Sequence, residues 1–132
     1  MTKGEKPRPF GYLFTIDLYG CKDGVCDDIS LCIQFLNDLV VELKMHKQAP
    51  PYVFHSDSDL YPDKAGLSGW VPLIESGVQI HTLSPKRFIS IDIYSCGPFQ
   101  TGHLEQFVRG YFSPQAIETN YIPRGIRYHS IQ

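Results

Sequence analysis

The chain has 132 residues and a formal net charge of −2, with 42% hydrophobic and 20% charged residues, and its pI is near 6.2. That length suits one domain with a single core, and the balance of charge argues against nucleic acid or another polyanion as partner. No apolar run approaches bilayer length, and Met1-Thr2-Lys3-Gly4-Glu5-Lys6-Pro7 lacks the apolar stretch of a secretion signal, so a cytoplasmic protein off the membrane is expected.

In chain order, residues 1–9 are rich in Lys and Pro and read as a flexible tail ahead of one domain over 10–132. Tyr12, Phe14, Ile16 and Leu18 share one parity, which predicts a half-buried strand. Gly20 to Gly24 forms a turn, and Asp27 or Asp28 caps a helix running to about Lys47 on a stripe of Ile29, Ile33, Leu36, Leu39, Val40 and Leu43. Pro50-Pro51 ends it. Tyr52 to His55 is a short strand, Ser56 to Gly66 a polar loop, and Ser68–Ile74 and Val78–Leu83 two strands joined at Ser76-Gly77. Phe88–Tyr94 alternates as a further strand, Thr101–Phe112 is a helix with Leu104, Phe107, Val108 and Tyr111 on one face, and Ile117–Ile122 is the last strand. Strands in consecutive runs with two helices between blocks predict an α+β fold, a two-layer sandwich whose antiparallel sheet carries its helices on one face.

The four cysteines are expected to be thiols. Cys21 and Cys26 lack a second Cys/His pair at a zinc-like interval, so no metal is expected. Cys32 falls on the apolar helical face, which leaves Cys96, before Gly97-Pro98 at a strand end, as the cysteine with a chemical case. His46, His55, His103 and His129 read as surface or packing residues, and Trp70 as core or interface filling. By itself Ser76-Gly77 is a hairpin turn.

Taken together, separated motifs say more. Ser68-Gly69-Trp70-Val71-Pro72-Leu73-Ile74-Glu75-Ser76, Ile80-His81-Thr82 and Asp92-Ile93-Tyr94-Ser95-Cys96-Gly97 stand in order, with Asp17-Leu18-Tyr19-Gly20-Cys21 and Phe54-His55 upstream. The set resembles the prokaryotic S-adenosylmethionine decarboxylases over roughly residues 10–122, with the Ser68, Ser76, His81 and Cys96 spacings matching without a gap. The resemblance implies a proenzyme that cuts itself at Glu75–Ser76 into 1–75 and 76–132. The Ser76 hydroxyl attacks the Glu75 carbonyl, the amide becomes an ester, and β-elimination leaves a pyruvoyl cofactor at Ser76 that forms a Schiff base with the substrate amine. Ser68 and His81 would then serve processing and Cys96 would donate the proton after CO2 leaves. A small-molecule substrate in polyamine (spermidine) synthesis and a homodimer of processed two-chain protomers, with sites at or near the subunit interface, are also implied.

Departures from the family pattern fall together. An aromatic residue and a glutamate, which by resemblance hold adenine and ribose, are replaced by Leu83 and Pro85; the other adenine-stacking aromatic is matched by Asp57, and Gly77 replaces a histidine. The loop over 56–66 is longer than usual and carries Asp57, Asp59 and Asp63, whose carboxylates suit the distal cation of ornithine, lysine or arginine. A basic amino acid is thus the alternative substrate, and a solvated loop the alternative account of those carboxylates. Tyr61 and Trp70 are the nearest aromatic candidates for adenine. A non-catalytic regulatory paralogue is a further alternative, against which all four of Ser68, Ser76, His81 and Cys96 speak.

Overall fold

Apolar residues at every second position need a cover on one side only, and the chain folds to supply it. The computed structural model describes residues 8–56 and 58–131; most of the expected tail and Asp57 lie outside them. Its elements are β1 (Gly11–Tyr19), α1 (Ile29–Glu42), β2 (Tyr52–His55), β3 (Leu67–Pro72), β4 (Ser76–Leu83), β5 (Phe88–Ser95), α2 (Leu104–Phe112) and β6 (Ala116–Arg124). The strands form one sheet in the order β2-β3-β4-β5-β1-β6, antiparallel at every pairing. Both helices lie on one face, so the sandwich is the one expected from the sequence.

The core forms from Ile16 and Leu18, Val78 and Ile80, and Ile89, Ile91 and Ile93 on the sheet, against Phe35, Leu36 and Leu39 of α1 and Leu104, Val108 and Phe112 of α2. Phe35 is the junction between the helices, with ring centroids 4.8 Å from Phe112 and 5.2 Å from Tyr111. The predicted stripe is therefore rotated: Ile33 is 37% exposed, while Phe35 and Cys32 take the buried positions. The helix settles onto β3 at Gly69, where a Cβ would come within 2.8 Å of Ile80 and 3.3 Å of Leu36.

Asp28 caps α1, its side chain accepting from Leu31 N–H at 3.0 Å. The helix stops at Glu42, short of the expected Lys47. Met45 N–H bonds back to Val40 O and Lys44 N–H to Val41 O, with Lys44 at φ 58, so a left-handed residue closes the helix there. The released segment becomes a strap: Ile74 N–H donates to His46 O, Lys47 bridges to Leu73, and Gln48 N–H donates to Pro72 O. The β3–β4 turn also differs from expectation. Leu73 N–H donates to Ser76 O at 3.1 Å, so the corner is Ile74-Glu75, and Ser76 and Gly77 already belong to β4. Similarly, α2 begins at Leu104 rather than Thr101, and β6 runs on to Arg124.

Thr82 is a buried polar side chain, and both of its bonds fix the end of β4. It donates to Cys26 O at 2.5 Å and accepts from Leu67 N–H at 2.8 Å. Thr82→Val keeps the shape but leaves that donor and acceptor unpaired, so urea unfolding should show a loss of about 1–3 kcal/mol.

Candidate active site

Alternation along β4 decides what each candidate residue faces. Val78, Ile80 and Thr82 are buried under the helices; Gly77, Gln79, His81 and Leu83 lie on the opposite face, which no element covers among the described residues. That open face is rich in aromatics, with Tyr52 46%, Phe54 65% and Trp70 50% exposed.

Glu75, Ser76 and Cys96 meet at one end of β4. Ser76 pairs with Ser95 across β4–β5, and the next residue of β5's exit, Cys96, donates its backbone N–H to the Glu75 carbonyl oxygen at 2.8 Å. This is the carbonyl of the Glu75–Ser76 peptide, the one the resemblance expects Ser76 to attack. The Glu75 side chain is held as well. The His46 backbone N–H donates to Oε1 at 2.9 Å and the His46 ring Nδ1 lies 2.7 Å from Oε2, and these bonds hold the carboxyl below its ordinary pKa. Glu75 and Cys96 open into a cavity of about 860 Å3 walled by the end of α1 and by His103. Ser76 shares the parity of Val78, and at the start of β4 it also borders a smaller hollow of about 370 Å3 over Gly77, between Trp70 and Tyr94. A Cβ at Gly77 would sit 3.3 Å from Trp70 Nε1, so the glycine lets the indole lean across β4.

Ser68 and His81 meet at the other end. They are register partners across β3–β4, with Ser68 Oγ 3.1 Å from His81 Nδ1. When Nδ1 carries the proton and donates it to the hydroxyl, Nε2 is left free as a base. The pair lines a hollow of about 440 Å3 with Tyr52, Phe54, Trp70 and Gln79. Leu83 lies further along the same strand, and the loop carrying Asp59, Tyr61 and Asp63 joins this end through Ser84 N–H donating to Ala65 O at 2.8 Å. All three loop residues are exposed, and the Asp63 carboxylate is 3.9 Å from Lys64.

One chain therefore brings the expected residues together as two groups, not one. Ser76 and His81 are five positions apart on β4, about 17 Å of extended strand, and they differ in parity. His81 cannot touch the Ser76 Cα proton within one chain. Sequence spacing matched a family without showing this; the odd offset from Ser76 to His81 in a strand was the available signal. His46, set aside as a surface or packing residue, is the partner that sequence reasoning missed. Nothing near it in the chain marks it, because Glu75 lies 29 residues away.

The thiols divide as well. Burial pushes Cys21 up to about 12 and Cys26 and Cys32 to about 11, whereas Cys96 is exposed. A raised thiol pKa means the neutral, unreactive form at pH 8. Iodoacetamide at pH 8 should accordingly alkylate Cys96 alone in the native protein, and peptide mapping should find the other three modified only after unfolding. Among the described residues no group of three or more His, Cys, Asp or Glu is placed to hold a metal ion, and no helix is long and apolar enough to cross a membrane.

A six-stranded antiparallel sheet with both helices on one face, and a β3–β4 corner whose Glu75 carbonyl is held by Cys96 N–H, defines an α+β sandwich with its candidate residues at the two ends of β4. The S-adenosylmethionine decarboxylase family model matches residues 12–125, and the chain belongs to that family. It is similar to the S-adenosylmethionine decarboxylase proenzyme of Geobacillus sp. (strain WCH70), 29% identical over 113 residues and 84% of each chain. The proenzyme of the same name from Methanococcus maripaludis (strain C5 / ATCC BAA-1333) is 26% identical over 127 residues, 90% of this chain and 93% of that one. In fold it is similar to the crystal structure of the adenosylmethionine decarboxylase from Aquifex aeolicus VF5, with a TM-score of 0.70 and 19% identity, covering 89% of this chain and 92% of that one.

Proposed function

We propose that this protein is a self-processing decarboxylase of S-adenosylmethionine in polyamine synthesis, cut between Glu75 and Ser76, whose working site is shared by two copies of the chain. The observation that carries this is the Cys96 N–H bond to the carbonyl of the Glu75–Ser76 peptide.

The Ser76 Oγ adds to the Glu75 carbonyl carbon, and the negative charge goes to the oxygen that Cys96 N–H already holds. Collapse breaks the C–N bond, the Ser76 nitrogen leaves as an amine, and an ester links the two halves. A base then removes the Ser76 Cα proton, and the Cβ–O bond breaks to free the Glu75 carboxylate. Hydrolysis of the remaining dehydroalanine with loss of ammonia completes a pyruvoyl group. The donor set fits it: the group would begin β4 opposite Ser95, next to Cys96, whose exposed thiol would deliver a proton. The pyruvoyl group supplies a ketone that draws electrons from the substrate's amine-bearing carbon as CO2 departs. The cut leaves 1–75 and 76–132 joined by the β1–β5, β1–β6 and β3–β4 ladders, all of which cross it.

The base is the unresolved demand within one chain, and the uncovered sheet face answers it. A second copy packed there about a two-fold axis lays the His81 end of its β4 over the Ser76 end of the first, and the reverse. Each site then takes Glu75, Ser76 and Cys96 from one chain and Ser68 and His81 from the other. Tyr52, Phe54 and Trp70 travel with that pair and offer flat apolar walls for a purine where Leu83 and Pro85 do not. Asp59, Tyr61 and Asp63 belong to the same end and would edge the site. The names of the relatives favour S-adenosylmethionine over a basic amino acid, and a working enzyme over a regulatory paralogue.

Complementation tests this directly. Ser76→Ala and His81→Ala chains should each stay intact alone. Co-expressed, the His81→Ala chain should be cut, because its Ser76 meets the intact His81 of its neighbour. A His81→Ala chain that is cut when alone, or never cut in the mixture, would contradict the shared site. Cys96→Ala should still cleave yet lose about 100-fold or more in kcat, the scale of a missing general acid.

A further inference from the structure

We propose that His46 is a positioning residue for the cut, acting through the Glu75 side chain; the inference rests on the self-processing function proposed above. A residue at a hairpin corner is ordinarily the freest point of the hairpin, yet Glu75 is tied down on both ends of its structure. Its carbonyl accepts from Cys96 N–H at 2.8 Å, and its carboxylate takes the His46 backbone N–H at 2.9 Å and faces the His46 ring at 2.7 Å. Neighbouring bonds continue the hold. Ile74 N–H donates to His46 O at 2.9 Å, Gln48 N–H donates to Pro72 O at 2.9 Å, and Lys47 bridges Leu73. The strap that begins after the left-handed Lys44 thus lies along the strand leading to the cut.

The His46 side chain is 71% exposed and that of Glu75 23%, so as an isolated ion pair this contact would add little to stability. Its geometry, rather than its energy, gives it a use. With the carboxylate fixed on one side and the carbonyl oxygen on the other, the Glu75 carbonyl carbon has little room to turn away from Ser76 Oγ. Attack of a neighbouring hydroxyl on its own peptide depends steeply on such placement. The clamp also outlasts the reaction. Once Glu75 ends the upstream chain, its side chain remains on His46 and keeps the new terminus against β4 and β5.

The test follows cleavage of the full-length chain over time after cell-free synthesis, on denaturing gels, with a melting temperature for each variant. His46→Ala should slow cleavage about tenfold with melting unchanged, while His46→Asn, which keeps an N–H donor near the Nδ1 position, should stay within about threefold of wild type. Glu75→Ala should slow cleavage too, and the double variant should be no slower than the slower single, since each acts through the other. Wild-type cleavage rates in His46→Ala, additive losses, or no rescue by asparagine would overturn the clamp while leaving self-processing intact. A wild-type chain that never cleaves would remove the self-processing function, and the clamp with it.

Discussion

The register of β4 is the constraint on which the rest depends. Its pairings with β3 and β5 place Ser68 opposite His81 and Ser76 opposite Ser95 at once, so both halves of the site are set by one alignment. In a strand the side chains alternate, and a slip of one position would carry His81 into the core and Val78 to the surface. Burial of Val78, Ile80 and Thr82 against α1 and its neighbours prevents it. The hydrophobic pattern that drives folding is thus also what sets the candidate residues in place.

A sheet covered on one side only leaves the Ser68–His81 pair and its aromatic neighbours on a bare surface. In a solitary chain that surface is a cost, since Phe54 and Trp70 present large apolar area to water. In the two-fold pair proposed above the same area would be buried, and the distance separating Ser76 from His81 would become the separation between two equivalent sites. Stability of that pair and completion of the proposed catalytic group would then come from one event.

Most of the architecture was legible in the residues. Period-two runs located the strands, and Asp27 or Asp28 was expected at the helix start, where Asp28 is the cap; Pro50-Pro51 was expected to stop the helix, which ends before it at Glu42. What failed did so for physical reasons. The end of α1 was misplaced because a lysine, not a glycine, takes the left-handed position at Lys44. Ser76-Gly77 looked like a turn because glycine suggests one, whereas the Leu73–Ser76 bond puts the corner two positions earlier, at Ile74-Glu75. The candidate residues themselves came from a resemblance, and their division between two ends of a strand is a matter of parity and length that motif spacing does not express. His46 was invisible because its contact with Glu75 is made by tertiary packing.

The central claim is that the chain converts its own Glu75–Ser76 peptide into two chain ends, one of them a ketone. Intact-mass spectrometry of the purified protein, before and after borohydride, addresses it most directly. The account predicts two polypeptides, one ending at Glu75 and one beginning at position 76 with no free α-amino group and a gain of two hydrogens on reduction. A single species with the mass of the uncut chain, or a fragment starting with an ordinary serine amine, would contradict it.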